Sequence, residues 1–568
     1  MNRNQLSFTQ EPTIEIMRSM WPISFNHKTT FNAGELVPFY CNPDILPGMT
    51  IKNKTAVLIR MSTPLYPTMD NLYLDTYYFK VPYWTIWENA KKFFGENENG
   101  AWTQTTEYEI PVFKFTTTQN GCGVNDMLTY MGAPLGYKGQ YAYFNQLPTR
   151  AYCRCYNFWF RDQNLIAPLQ YYTDDSDREF NSTSTILGGK LAKVAKFHDY
   201  FTSCLPEPQK GSPITTPLGV SAPVRIMQGK NSNPGVEASN QALTFKARNT
   251  ANTGFVNIGL GSETINFESP AQFIRPQISQ LSISTVANRT TESSDSHNIG
   301  YNDGLTGLAD LTNATASTIN ALRLAFATQR ILEKDARYGS RYNEILRGHY
   351  GVNSPNASLH IPEYLGGKRI PINIETVLQN SSTDSQSPLG TTGAFSVSFD
   401  INEDFTKSFD EHCILLGLCC VRAEHTYQQG IEVGFHRRKR LDFYWPSLAH
   451  IGNSPVYNRE IYAQGTSTDN EVFGYKEAWA EYKHKPNRIS GELMSGYTTS
   501  LDAWHYGDDY NSLPVLSQNW IEEPKTFIDR TLAVTSEVSN QFIADFEIEQ
   551  EVAAPMPVHC TPGLIDHF

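Results

Sequence analysis

A chain of 568 residues with 58 acidic and 46 basic side chains has a formal charge of −12, which excludes a surface that binds nucleic acid everywhere and leaves room only for a local basic patch. With 12% aromatic and only 18% charged residues, and with Gly, Pro, Ser, Thr and Asn abundant, the composition suits an all-β chain with long loops better than a helical one. No charge-rich or Pro-rich linker divides the length, so one elaborated domain and several smaller ones both remain open.

The N-terminal MNRNQLSFTQEPTIE has no apolar segment for secretion, and the longest apolar run, Ile414 to Val421, is too short to span a bilayer. A protein kept in a cytoplasm, without membrane insertion, is expected. His27 to Tyr40 and Lys54 to Met61 read as strands separated by a spacer holding Pro43, Pro47 and Gly48. Asp70 to Val81 is apolar or aromatic on both alternating faces, as in a strand covered on both sides, and Pro82 ends it. Tyr83 to Gly95 places Trp84, Trp87 and Lys91 at helical spacing, predicting a short helix stopped by Gly95.

Arg150, Arg154, Arg161 and Asp162 sit among aromatics, and an ionic lattice between packed loops is favoured over a functional site. From Pro206 to Asn302 polar residues dominate, with scattered apolar positions at Phe245, Phe255, Ile265 and Phe273. Such an insertion is either a tolerated surface excursion or a projecting recognition element. Thr318 to Gly348 carries the one long helical pattern, with Ile319, Leu322, Phe326 and Gln329 in step and Gly339 breaking it in two. Ala394 to Ile401, AFSVSFDI, alternates cleanly and predicts a half-buried strand with Phe395, Val397, Phe399 and Ile401 on one face and Ser396, Ser398 and Asp400 on the other. Cys413 to Val421 reads as a central strand. Phe542, Ala544, Phe546 and Ile548 oppose Asp545, Glu547, Glu549 and Glu551, which gives a last strand with one core face and one acidic face.

The stretch from His436 to Ser490 opens on four cations, Arg437, Arg438, Lys439 and Arg440, and continues as an irregular segment dense in Trp and Tyr. Amphipathic aromatics in such a loop suit a surface buried against another chain, which marks Trp445, Tyr457, Tyr462, Trp479 and Tyr482 as subunit-interface candidates. The basic run is the candidate nucleic-acid contact, through phosphates and with Phe443, Tyr444 and Trp445 offering faces to unpaired bases. Pairing of those cations with acids across an interface is the alternative. The acidic face ending at Glu551 would repel phosphate and is expected to point away from nucleic acid or to be neutralised by a neighbour.

Enzyme chemistry finds little support. GxSxG, GxxxxGK[ST], HExxH and GxGxxG are absent, and the histidines lack a metal-ligand spacing, so neither catalytic residues, metal nor cofactor are expected. Asp508 with Asp509, and Glu522 with Glu523, are adjacent and point different ways, as in a solvated turn. Nine scattered cysteines supply neither a disulfide framework nor a zinc site and are expected to be small buried hydrophobes. A carbohydrate-binding or carbohydrate-active β-sandwich is the rival class that shares an aromatic, acidic composition.

Long stretches are nevertheless distinctive. HKTTFNAGELVPFY, RMSTPLYPTMDNLYLDTYYFKVP, LPTRAYCRCYNFWFRDQNL, IPEYLGG, LDFYWPSLAHIGNSPVYNREIY, VFGYKEAWAEYKHKPNRISG and the terminal PGLIDHF resemble the major capsid proteins of the gokushovirus branch of the Microviridae, small icosahedral phages with circular single-stranded DNA. The resemblance implies a mainly β chain: an eight-stranded antiparallel jelly roll with long inserted loops, one domain over residues 1–568, present once per asymmetric unit of a closed T=1 shell. It also implies a small basic DNA-binding protein and a DNA pilot protein as partners. The variable insertion, 206–302, would be a protrusion at the threefold axes that meets a host-cell receptor, in a virion assembled in the bacterial cytoplasm.

Overall fold

The computed structural model describes residues 18–97, 107–116, 121–212, 214, 319–339, 341–381 and 388–559, together with four short strands between 224 and 309. The chain divides into two compact units, Met1–Ser212 with Arg330–Phe568, and Pro213–Gln329.

In the larger unit the organising strands are β1 (Ser19–Phe31), β2 (Val37–Ile45), β3 (Thr50–Met61), β4 (Leu72–Pro82), β5 (Glu363–Gly366), β6 (Arg369–Pro371), β7 (Ile374–Leu378), β8 (Thr392–Ser396), β9 (Ser398–Ser408), β10 (Cys413–Ala423) and β11 (Phe542–Ala554). One antiparallel sheet runs β1–β11–β3–β9 and the other β5–β4–β10–β2, with β6 continuing along β4 beyond β5. Taking β5 and β6 as one interrupted strand gives each sheet four members, in the strand order of a jelly roll. The β7–β8 hairpin leads into β9.

Alternation builds the sandwich. On β11 the inward Phe542, Ala544, Phe546 and Ile548 are buried, and Phe546 stacks on Phe39 of β2 with ring centroids 4.5 Å apart. Phe39 meets Tyr78 of β4 edge-on at 5.4 Å, so aromatic rings from both sheets interlock, each stabilising by roughly 1.5–3 kcal/mol when fully buried. Strand β10 is buried along nearly its whole length, as its apolar run predicts. One face meets the other sheet and helix α1 (Leu147–Cys155) packs on it and on β2. Tyr152 of α1 donates its hydroxyl to the Leu36 carbonyl at 2.7 Å and accepts the Ala192 N–H at 2.9 Å.

Several expectations are redrawn. The stretch from His27 to Tyr40 is two strands: the chain turns at Gly34 with φ +75°, and a Cβ there would collide with the Glu523 carbonyl. Tyr83 to Gly95 forms a 3₁₀ turn, Tyr83–Thr85, and a four-residue helix, Ala90–Phe93. Helix α2 (Ile319–Tyr338) ends at Gly339, as expected of that glycine. Arg150 and Arg154 bond to carbonyls more than to acids: Arg150 donates to Asp174 O at 2.9 Å, and Arg154 to His360 O at 2.6 Å. The eight cysteines among the described residues are free thiols, and burial pushes those of Cys153 and Cys420 up to about 12.

The largest correction concerns Ala394 to Ile401. The alternation is real, but Val397 interrupts it between β8 and β9 and its sense is inverted: Ser396 and Ser398 are buried, while Phe395, Phe399 and Ile401 face out. Both serines are held by one residue. Ser396 donates its hydroxyl to Asn373 O at 2.8 Å, and Asn373 N–H donates to the Ser398 hydroxyl at 2.8 Å.

In the second unit, Val224–Gln228 pairs antiparallel with Leu305–Ala309, and Phe245–Arg248 with Phe255–Ile258. The rest of 206–302 past Ser212, apart from residue 214, including Ile265 and Phe273, lies outside the described residues, as do the N-terminal MNRNQLSFTQEPTIE and the terminal PGLIDHF.

Candidate functional site

The aromatic segment is more ordered than its composition suggests. It holds an antiparallel pair, Asn453–Tyr457 with Val472–Glu477, a short helix Asn458–Ile461, and 3₁₀ turns at Arg440–Asp442, Pro446–Leu448 and Ala480–Tyr482. Ahead of that pair the chain from Arg438 to Ser447 is exposed throughout.

The four cations divide into two kinds. Arg437 is spent inside the fold: its guanidinium donates to Glu481 Oε1 at 2.7 Å, lies 4.4 Å from the Tyr482 ring centre, and leaves a side chain only 10% exposed. Arg438, Lys439 and Arg440 have no ion-pair partner among the described residues and point to solvent. The Lys439 and Arg438 backbone N–H groups both donate to Asp442 Oδ2, at 2.7 and 2.9 Å, and hold that carboxyl below the usual carboxylate range. Arg440 lies 4.7 Å from the Trp445 ring centre, and the Trp445 indole N–H donates to Arg440 O at 3.0 Å. Three free cations thus flank exposed Phe443, Tyr444 and Trp445.

The interface candidates also separate. Trp445 and Tyr482 are exposed, whereas Tyr457, Tyr462 and Trp479 are half-buried in their own chain. Trp479 adopts φ +67°, a left-handed conformation that costs a non-glycine residue on the order of 1–3 kcal/mol. Its indole N–H donates to Leu448 O at 2.9 Å and its ring meets Tyr444 edge-on at 5.6 Å, so it organises the loop that displays the other rings. Beneath them, Glu460 accepts the Tyr457 N–H at 2.9 Å and the Tyr200 hydroxyl at 3.0 Å, and burial pushes its carboxyl up to about 7.

A jelly roll bearing an exposed cationic and aromatic loop points to assembly, and comparison with known proteins decides the family. Residues 9–564 match the family model described as capsid protein (F protein). This chain is a member of that capsid protein family. It is 37% identical to capsid protein VP1 of Bdellovibrio phage phiMH2K over 100% of this chain and 99% of that one. The figure is 36% for capsid protein VP1 of Chlamydia phage 1, covering 98% and 97%, and 37% for capsid protein VP1 of Spiroplasma virus 4, covering 95% of each. The resemblance to gokushovirus capsid proteins is thereby borne out, and the carbohydrate-binding alternative gains no support.

Sequence reasoning missed a buried charged cluster in this capsid-family chain. His425, just past β10, donates from both ring nitrogens, to Asp508 Oδ1 at 3.0 Å and Glu523 Oε2 at 3.1 Å. Lys196 approaches Asp508 at 3.4 Å, and the Tyr510 hydroxyl donates to it at 2.7 Å. Asp508 and Glu523 are therefore not in a solvated turn: Glu523 is fully buried. Burial alone would lower the His425 pKa, but the two carboxylates overcome it and hold the ring up to about 10. The imidazolium pins three loops together. Nothing local in the sequence signals it, because the partners lie 83 and 98 residues away.

Among the described residues there is no group of three or more metal-ligating side chains, and no helix is long and apolar enough to cross a membrane.

Proposed function

We propose that this chain is the major capsid protein of a small phage, copies of which close into a T=1 icosahedral shell around a circular single-stranded DNA genome. Full-length membership of a capsid protein family, on a jelly-roll sandwich, is the observation that carries this reading. Arg438, Lys439 and Arg440, with Tyr444 and Trp445, contact the genome through phosphates and unpaired bases. Trp445 and Tyr482 meet a neighbouring subunit, and Tyr457, Tyr462 and Trp479 hold that surface in shape. A small basic DNA-binding protein and a DNA pilot protein complete the particle, which assembles in the cytoplasm of its bacterial host. The insertion within 206–302 forms the threefold protrusion and contacts the host receptor; the separation of 213–329 as its own compact unit supports an element that varies without disturbing the sandwich. The test is nuclease protection: circular single-stranded DNA that co-sediments with the chain and resists nuclease is expected, and DNA that is digested as fast as free DNA overturns the genome-enclosing role.

A further inference from the structure

The inverted strand leaves a surface that the sandwich does not use. Phe395, Phe399 and Ile401 stand 48%, 63% and 47% exposed on the outer face of β8 and β9, and Val377 of β7, 47% exposed, joins them across the hairpin. Cross-strand pairing puts Leu58 beside Phe399 and Ala56 beside Ile401, so the stripe continues onto β3. Its exposure is imposed by register. A slip of one residue would bury the phenylalanines, but it would also break both hydrogen bonds that Asn373 makes to Ser396 and Ser398. Nor do the described residues cover the stripe from the side: Lys368–Asp400 and Lys407–Glu363, both 2.6 Å, tie β9 to the β5–β6 segment at its free edge.

We propose that this stripe is a contact between two copies of the chain, the second copy seated face to face with its strands reversed. Four half-exposed large side chains offer roughly 400 Å² of apolar surface, about half of what one partner contributes to a standard interface and as much as the largest patch on a typical monomer. The rim selects a second copy. Arg60 lies two positions beyond Leu58 on β3 and Glu403 two positions beyond Ile401 on β9, so the two charges bracket the Phe399 and Ile401 part of the stripe, and neither has an ion-pair partner among the described residues. Reversing one copy brings each Arg60 towards the Glu403 of the other, so the patch is complementary to itself.

The inference rests on the shell reading and is tested within it. Benzoylphenylalanine placed at Phe399, which keeps the native ring and extends it by a photoreactive benzoyl group into the space outside the sheet, is irradiated in assembled particles. A covalent dimer of the chain is expected, whereas crosslinks that join the chain only to DNA or to a smaller protein overturn the proposal. In parallel, the double substitution Phe399→Ser and Ile401→Ser leaves the inward serines untouched and is expected to lower shell yield at least tenfold, with the urea midpoint of the unassembled chain unchanged. Wild-type yield from the double variant refutes the contact, while a wild-type chain that forms no shells refutes the shell reading itself.

Discussion

Replacing His425 with Gln removes the positive charge that sits between Asp508 and Glu523. Gln keeps hydrogen-bonding capacity but leaves two carboxylates facing a neutral group in a dry site, with Lys196 near one of them and the Phe527 ring centre 6.2 Å away. Breaking a buried ion pair from one side costs about 3–5 kcal/mol. Linkage gives an independent bound. The folded pKa stands near 10 against an ordinary 6.5, which converts to roughly 5 kcal/mol at most. Because the folded value is raised, that stability is fully present below about pH 6.5 and drains away as pH climbs through about 10. Urea melts of the unassembled chain at pH 6, 8 and 10 read both effects. The wild type loses midpoint across this window, and His425→Gln is less stable at pH 6 with a flatter dependence above it. A variant that matches the wild type at pH 6, or that keeps the same alkaline slope, refutes the buried imidazolium.

Other substitutions probe other parts of the account. Asp75, buried between Arg369 and Arg422 at 2.7 Å each, is the counter-charge for Arg422, so Asp75→Asn is expected to cost about 3 kcal/mol, read as a lowered urea midpoint. Glu460 has a raised folded pKa, so its presence costs stability as pH rises from about 4.5 to about 7; Glu460→Gln is expected to raise the Tm at pH 8 and leave it unchanged at pH 4. Trp479→Ala loses the Leu448 hydrogen bond and the packing on Tyr444, and is expected to speed proteolysis within Arg438 to Ser447 and lower shell yield, with Trp479→Phe intermediate. Gln at Arg438, Lys439 and Arg440 together is expected to lower packaged DNA per particle with assembly intact, whereas Arg437→Gln, which breaks the Glu481 pair, is expected to disturb the loop first.

Much of the sandwich was legible because single strands carry their own signal. The apolar run of β10 and the two-faced alternation of β11 announce a central strand and a half-buried one, and both stand where those patterns put them. The acidic face of β11 was also legible, and neighbouring strands pair two of its four acids: Lys28 reaches Asp545 at 2.8 Å and Lys54 reaches Glu549 at 3.0 Å. What failed depended on partners distant in sequence. The sense of Ala394 to Ile401 is set by Asn373, a residue that periodicity cannot weigh against two phenylalanines. Of the basic run, Arg437 was withdrawn from solvent by Glu481, 44 positions on, while Arg438, Lys439 and Arg440 kept the exposure expected of them. His425 lacked any local mark, since a lone histidine after an apolar strand is ordinarily read as core.

The central claim is that copies of this chain build a closed shell, and negative-stain electron microscopy of the purified protein tests it most directly. The account predicts uniform icosahedral particles or the pentameric pieces of such a shell. A field of monomers, or of oligomers smaller than a pentamer, under conditions where the chain is folded, would contradict it.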